Sequence, residues 1–194
     1  VDEHGRTTAE GVWALGDASS KHQLKHIANH EAKVVFHNVL AARGEGAEGE
    51  GAGAAGAGDS ARAGDLRSFD HRFIPSAVFS HPQIGQVGMT EGEAAAWAAE
   101  NGTEITVKVQ NYGDVAYGWA LEDGDGFAKL IADKKTGKLL GAHFIGEQAA
   151  TLVQQCIQMM AFDLDAREVA AKQHWIHPAL PEVIENALLG LEFD

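Results

Sequence analysis

The chain has 194 residues, somewhat more than one domain at ~150 residues per domain, and its 28 acidic against 15 basic residues leave a net charge of −13. That balance repels nucleic-acid phosphate and anionic membrane surfaces and argues against both as partners. At 45% hydrophobic and 22% charged residues the composition is that of an ordinary globular protein, and no apolar run approaches the ~20 residues of a membrane-spanning helix.

In chain order, Gly11-Val12-Trp13-Ala14-Leu15-Gly16-Asp17 is a short apolar run bounded by glycines. It reads as a buried strand ending in a carboxylate, the end at which open α/β sheets bind ligands. From Leu24 to Arg43, Ile27, Ala28, Val34, Val35, Val39 and Leu40 recur at helical spacing, which predicts an amphipathic helix of four or five turns. One strand and one helix cannot complete a parallel sheet, so its other strands are expected in sequence before Val1. Residues 44–65 form a Gly/Ala-rich stretch without large apolar side chains, expected to be a flexible linker. Gly51, Gly53 and Gly56 match G-x-G-x-x-G there, but no apolar strand precedes them, so no phosphate site is expected.

Beyond the linker, Ala77-Val78-Phe79 reads as a strand. Thr90 and Glu93 have capping-box spacing before an Ala-rich helix that ends at Asn101-Gly102. Ile105–Val109, Phe127–Ala132 and Leu139–Ile145 are extended, the last two joined by the turn Lys134–Lys138. Gln148–Phe162 has helical periodicity, with Val153, Ile157, Met159 and Met160 expected in the core; Asp165 and Glu168 have the spacing of a second capping box, and Glu182–Leu189 is a last short helix. Strands followed by helices, without βαβ alternation, predict an α+β domain on an antiparallel sheet, spanning 66–194 after a strand-helix piece of an α/β domain over 1–43.

The richest chemistry lies in His174-Trp175-Ile176-His177-Pro178-Ala179-Leu180-Pro181-Glu182. A carboxylate beside a histidine fixes its tautomer and stabilises the imidazolium, as general acid/base catalysis near neutral pH requires. The two prolines restrict the backbone between His177 and Glu182 and favour an i, i+5 contact. The same spacing also fits a surface histidine beside a glutamate at a helix start. His26 with His30, or His174 and His177 with Glu182, would be candidate metal ligands. The helical pair lacks a third ligand and Cys156 is isolated, so no metal is expected. Cys156, the only cysteine, has no intrachain disulfide partner, and Val1-Asp2-Glu3-His4-Gly5 lacks the features of a signal peptide. The expectation is a reduced, cytoplasmic chain, in which the sequon Asn101-Gly102-Thr103 has no role.

Four segments in order resemble the two-dinucleotide-fold pyridine nucleotide–disulfide oxidoreductases. Thr7–Asp17 is similar to their second flavin-binding motif. Pro75–Phe79 to Pro82, then Val87-Gly88-Met89-Thr90-Glu91, is similar to the opening of their interface domain. Gly141–Gly146 with Gln148-Ala149, and His177-Pro178 to Glu182, complete the series. Leu24–Ala32, Asp114–Trp119 and Ile176–Glu182 differ from the usual wording of dihydrolipoamide dehydrogenases and glutathione reductases, and imply another low-molecular-weight thiol disulfide as the small substrate, with a dihydrolipoamide dehydrogenase or a glutathione-reductase-like enzyme as the alternative.

The resemblance implies an FAD-dependent, NAD(P)H-driven enzyme acting as a homodimer. Gly16 and Asp17 would sit at the flavin, with the Asp17 carboxylate on a ribityl hydroxyl. The backbone amides of Lys25 and His26 would face the pyrimidine edge of the flavin at a helix N-terminus. His177 would exchange protons with the redox thiols and the leaving thiol in the partner's active site, with Glu182 orienting it. The redox cysteine pair, the N-terminal FAD-binding loop and the nicotinamide-binding loop do not occur in these residues, so the chain is expected to be the C-terminal part of such an enzyme and inactive alone. The competing expectation is a free-standing dimerisation module without catalysis.

Overall fold

A computed structural model describes residues 1–44 and 65–193, and the chain divides into two compact units, Val1–His71 and Arg72–Asp194. The G-x-G-x-x-G match and nearly all of the expected linker lie outside the described residues.

In the first unit the expected helix is present as α1, Lys25–Ala42. The expected buried strand is not. Trp13 makes one antiparallel bridge to Arg6, Val12 is exposed, and Gly16–Ala18 turns as a short 3₁₀ helix. An apolar run becomes a strand only where neighbours pair with its backbone, and no sheet strand is present among the described residues of this unit. After residue 64 the chain returns to α1. Asn38, fully buried, donates its amide to the carbonyls of His4 and Arg67, each at 2.8 Å, and accepts from the Arg67 amide. His37 Nε2 contacts the Asp65 carbonyl at 2.9 Å, and His30 Nε2 accepts from the Asp70 amide at 3.1 Å. Residues 65–71 therefore belong to the first unit.

The second unit is α+β. Its strands, β1 (Ser76–Val78), β2 (Gln83–Gly88), β3 (Ile105–Asn111), β4 (Phe127–Asp133) and β5 (Leu139–Gly146), form one antiparallel sheet in the order β1-β2-β5-β4-β3. The helices are α2 (Glu91–Asn101), α3 (Ala116–Ala120), α4 (Ala149–Ala161), α5 (Ala166–Lys172) and α6 (Glu182–Leu189). Sequence reasoning missed β2 and α3. Strand β2 carries two glycines in QIGQVG, which mask its alternation, and α3 is shorter than two turns.

The capping box of α2 forms as expected: Thr90 Oγ1 accepts from the Glu93 amide and the Glu93 carboxylate accepts from the Thr90 amide, while Gly102 closes the helix at φ 63°. The second expected box forms only halfway. Asp165 accepts from the Arg167 amide at 2.9 Å, but Glu168 pairs with Lys172 at 3.0 Å instead of reaching back. A cation one turn along the helix competes for that carboxylate.

Helix α4 lays Leu152, Val153, Cys156, Met159 and Met160 on one face of the sheet, against Val87, Ala142 and Phe144, and Val183, Ile184, Ala187 and Leu188 of α6 join the same core. On β4 the core takes Ala128, Leu130 and Ala132, so Phe127, Lys129 and Ile131 point the other way, where Lys129 pairs with Glu91 of α2. Away from α2 that second face is open: Val78 pairs with Ile84, Ile84 with Ile145, and Ile145 with Phe127, with Val78, Ile84 and Phe127 all exposed. On β3 the alternation Ile105-Thr106-Val107-Lys108-Val109 is inverted relative to a simple apolar-inward reading, since Thr106 and Gln110 are buried and Val109 is 47% exposed. Apolar side chains on both faces mean that burial within this unit alone does not set which face is wet.

Candidate functional site

His177 and Glu182 are brought together by a tightly anchored corner before α6. Leu180, Val183 and Ile184 are buried in the core, which fixes the backbone on both sides of Glu182. The Glu182 amide donates to the Ala179 carbonyl at 3.2 Å, closing a turn across Leu180 and Pro181. Within that turn the Glu182 carboxylate is fully used: Oε1 accepts from His177 Nδ1 at 2.7 Å and Oε2 accepts from the Ala179 amide at 3.0 Å. An ionised carboxylate only accepts, so Nδ1 carries the proton and Nε2 is the nitrogen left for chemistry. The histidine side chain is 67% exposed while its carboxylate is 15% exposed, so the imidazole is open to solvent and the carboxylate that holds it is shielded. The His177 hydrogen bond holds the Glu182 carboxyl below the usual carboxylate range; burial opposes this, and the Ala179 amide and the nearby imidazole reinforce it. His174 is exposed and is not part of the pair.

The other expected residues lie in the first unit. Gly16 is buried at φ +63°, and a Cβ there would sit 3.2 Å from Ala28 Cβ, so the turn passes close under α1. Asp17, next in the chain, is exposed. Lys25 and His26 form the first turn of α1, and Lys25 Nζ donates to Asn29 Oδ1 at 2.8 Å. Leu24, the residue before this helix, gives no side-chain cap, in contrast to the fully capped α2. An uncapped N-terminus of an 18-residue helix is suited to an external acceptor. An exposed carboxylate on a glycine-held turn beside such a helix start offers an acceptor and backbone donors, groups of the kind the resemblance expects at a flavin. Among the described residues no group of three or more His, Cys, Asp or Glu side chains could hold a metal ion, and no helix is long and apolar enough to cross a membrane.

Sequence reasoning missed Glu31. It is 1% exposed, accepts from the Gly16 amide through Oε2 at 2.7 Å, and meets His71 Nε2 through Oε1 at 3.0 Å. A signal was available. Ile27, Glu31, Val34, Val35 and Asn38 share the buried side of α1, and a charged residue at an apolar position implies a buried partner.

The family model for the pyridine nucleotide-disulphide oxidoreductase dimerisation domain matches residues 74–188. This chain belongs to that family. Mycothione reductase from Mycobacterium tuberculosis is 52% identical over 191 residues, which are 98% of this chain and 37% of that protein. The dihydrolipoyl dehydrogenase of Corynebacterium glutamicum is 32% identical over 193 residues, 98% of this chain and 36% of that one. Among solved structures, the HOCl-induced flavoprotein disulfide reductase RclA from Escherichia coli superposes with a TM-score of 0.79 at 24% identity, covering 99% of this chain and 38% of that chain. The similarity to RclA concerns fold alone. The chain thus spans little more than a third of the length of these relatives. The family assignment agrees with the resemblance carried by the four motifs, and the wording at Leu24–Ala32, Asp114–Trp119 and Ile176–Glu182 agrees with the greater identity to mycothione reductase than to the dihydrolipoyl dehydrogenase.

Proposed function

We propose that this chain is the C-terminal part of an FAD-dependent, NAD(P)H-driven disulfide reductase acting on mycothione, and that His177 and Glu182 are its acid/base pair. The observation that carries the reading is the 2.7 Å contact between His177 Nδ1 and Glu182 Oε1, with the imidazole exposed and the carboxylate shielded. When a thiolate attacks a disulfide, one sulfur leaves as a second thiolate and needs a proton. Histidine titrates near neutrality, so Nε2 can deliver that proton and take one back in the opposite half-reaction. The fixed Glu182 carboxylate keeps the ring oriented and stabilises the imidazolium.

Bound to the enzyme, FAD relays electrons from NAD(P)H to the redox thiols, which lie outside this chain. Here Asp17 would accept from a ribityl hydroxyl, Gly16 would let the backbone approach, and the Lys25 and His26 amides would meet the pyrimidine edge. The apolar row Val78, Ile84, Ile145 and Phe127, exposed at Val78, Ile84 and Phe127, supports a homodimer built through the open sheet face. The cytoplasm is the compartment where such a reductase meets its nicotinamide reductant.

Dihydrolipoamide is the second candidate substrate, favoured by the 32% identical dihydrolipoyl dehydrogenase. Comparing turnover of the full-length enzyme on mycothione with NAD(P)H and on dihydrolipoamide with NAD(P)+ separates the two. A dimerisation module without catalysis would explain the apolar row but not the exposed histidine held by a shielded carboxylate. In the homodimer His177 serves the partner's thiols. Heterodimers of a His177→Gln subunit with a subunit lacking the redox cysteines should therefore recover activity at one site. Verified heterodimers without recovery would refute the trans arrangement.

A further inference from the structure

Glu31 is a buried charge that the acid/base chemistry does not use. Its position is unusual in its two partners. Oε2 takes the amide of Gly16, the residue immediately before Asp17, and Oε1 takes His71 Nε2 from a segment forty residues further on. A carboxylate accepts only, so His71 must donate through Nε2, and both carboxylate oxygens are occupied. His71 is itself held by a stacked Phe69, with ring centroids 5.6 Å apart, and by an edge-on His22 at 5.3 Å. Residues 65–71 are tied to α1 at further points by His37, Asn38 and His30. The turn carrying Asp17 has no sheet neighbours among the described residues of this unit, so its orientation depends on few bonds, and Glu31 makes the one that is both short and charge-assisted.

We propose that Glu31 is a positioning residue for flavin: its carboxylate, braced by His71, clamps the Gly16 amide and so sets the Asp17 carboxylate for the ribityl chain. The proposal rests on the FAD reading above. Glu31 does not touch the cofactor. It acts through the backbone of Gly16, and His71 acts through Glu31.

The test is the FAD dissociation constant of full-length enzyme, measured by reconstituting apoprotein and following flavin fluorescence, with thermal melts of each apoprotein alongside. Glu31→Ala should weaken FAD binding roughly tenfold or more, the scale of a lost hydrogen bond to a charged group. Glu31→Gln should stay within about threefold of wild type, because its amide oxygen still accepts from Gly16 while its NH₂ meets His71 in the other tautomer. His71→Ala should fall between them. His37→Ala loosens the same 65–71 segment without touching Glu31, and should leave the FAD constant unchanged while lowering the melting temperature. Wild-type affinity in both Glu31→Ala and His71→Ala would overturn the proposal. So would equal FAD losses in His37→Ala and His71→Ala, which would reduce the clamp to general bracing. Should Glu31→Ala not fold, the ordering of Glu31→Gln, His71→Ala and His37→Ala still decides. A wild-type enzyme that binds no FAD would overturn the cofactor reading and this proposal together, whereas wild-type binding with unaffected variants overturns this proposal alone.

Discussion

Glu182→Gln in the full-length enzyme keeps the size of the side chain and removes its charge. The carboxylate serves two donors, His177 Nδ1 at 2.7 Å and the Ala179 amide at 3.0 Å. A carboxamide has one accepting oxygen, so one donor must face an NH₂ group. If the oxygen stays on Ala179, His177 has to carry its proton on Nε2 and loses the anion that favours the imidazolium. If the oxygen turns to His177, the Ala179 amide is opposed by another donor. A hydrogen bond to a charged group is worth about 1.5–3 kcal/mol. Only the part that grows as the imidazolium forms reaches the barrier; taking half, ~0.75–1.5 kcal/mol, gives roughly a three- to tenfold loss in kcat. The loss should be smaller than that of His177→Gln, because the proton carrier remains. Steady-state turnover with saturating reductant and FAD content measured by absorbance reads this directly. A wild-type kcat in Glu182→Gln, or one as low as in His177→Gln, would refute the reasoning. Stability carries a matching pH signature. The Glu182 carboxyl is held below its ordinary range, chiefly by His177, so its contribution is present above the unfolded value of ~4.3 and is lost as pH falls through the lower folded value. The stability gap between wild type and Glu182→Gln should thus be full at neutral pH and close in more acidic solution.

Two further outcomes test the fold. Asp133, 2% exposed, is pushed up by burial, yet hydrogen bonds from the Thr103 and Thr136 hydroxyls and the Lys135 and Thr136 amides outweigh this and hold it below the usual range. Asp133→Ala should cost about 3 kcal/mol in urea unfolding at pH 7, with the difference shrinking as pH falls below ~3.9 and through the lower folded value; a pH-independent difference would contradict it. Burial pushes the Cys156 thiol up to about 12, so in the 194-residue chain, where it is the only cysteine, a thiol reagent at pH 8 should react only after denaturation; rapid labelling of the native chain would contradict it.

Elements with complete local signals were readable from the sequence. Helix α2 announced both ends with Thr90, Glu93 and Gly102, the β4–β5 hairpin carried its own turn, and the prolines between His177 and Glu182 restricted the loop that the structure closes at 2.7 Å. What sequence reading missed depended on partners distant in the chain. Gly11–Asp17 had the composition of a strand but, among the described residues of its unit, pairs only through the single Arg6–Trp13 bridge. Glu168 had the spacing of a capping residue, but Lys172 takes it. On β3 local alternation did not specify which face is buried, and Glu31 is defined by Gly16 and His71, one on each side of it in sequence and neither predictable from helix periodicity. Local capping and turn chemistry act over a few residues, whereas burial of a charge is decided by tertiary contacts.

The central claim, that His177 moves the proton in disulfide reduction, is tested most directly by the kcat of full-length His177→Gln with its FAD content verified as equal to wild type. The account gives a loss on the order of a hundredfold or more, the usual scale for a missing general acid/base. A kcat within about threefold of wild type, at full FAD occupancy, would contradict it.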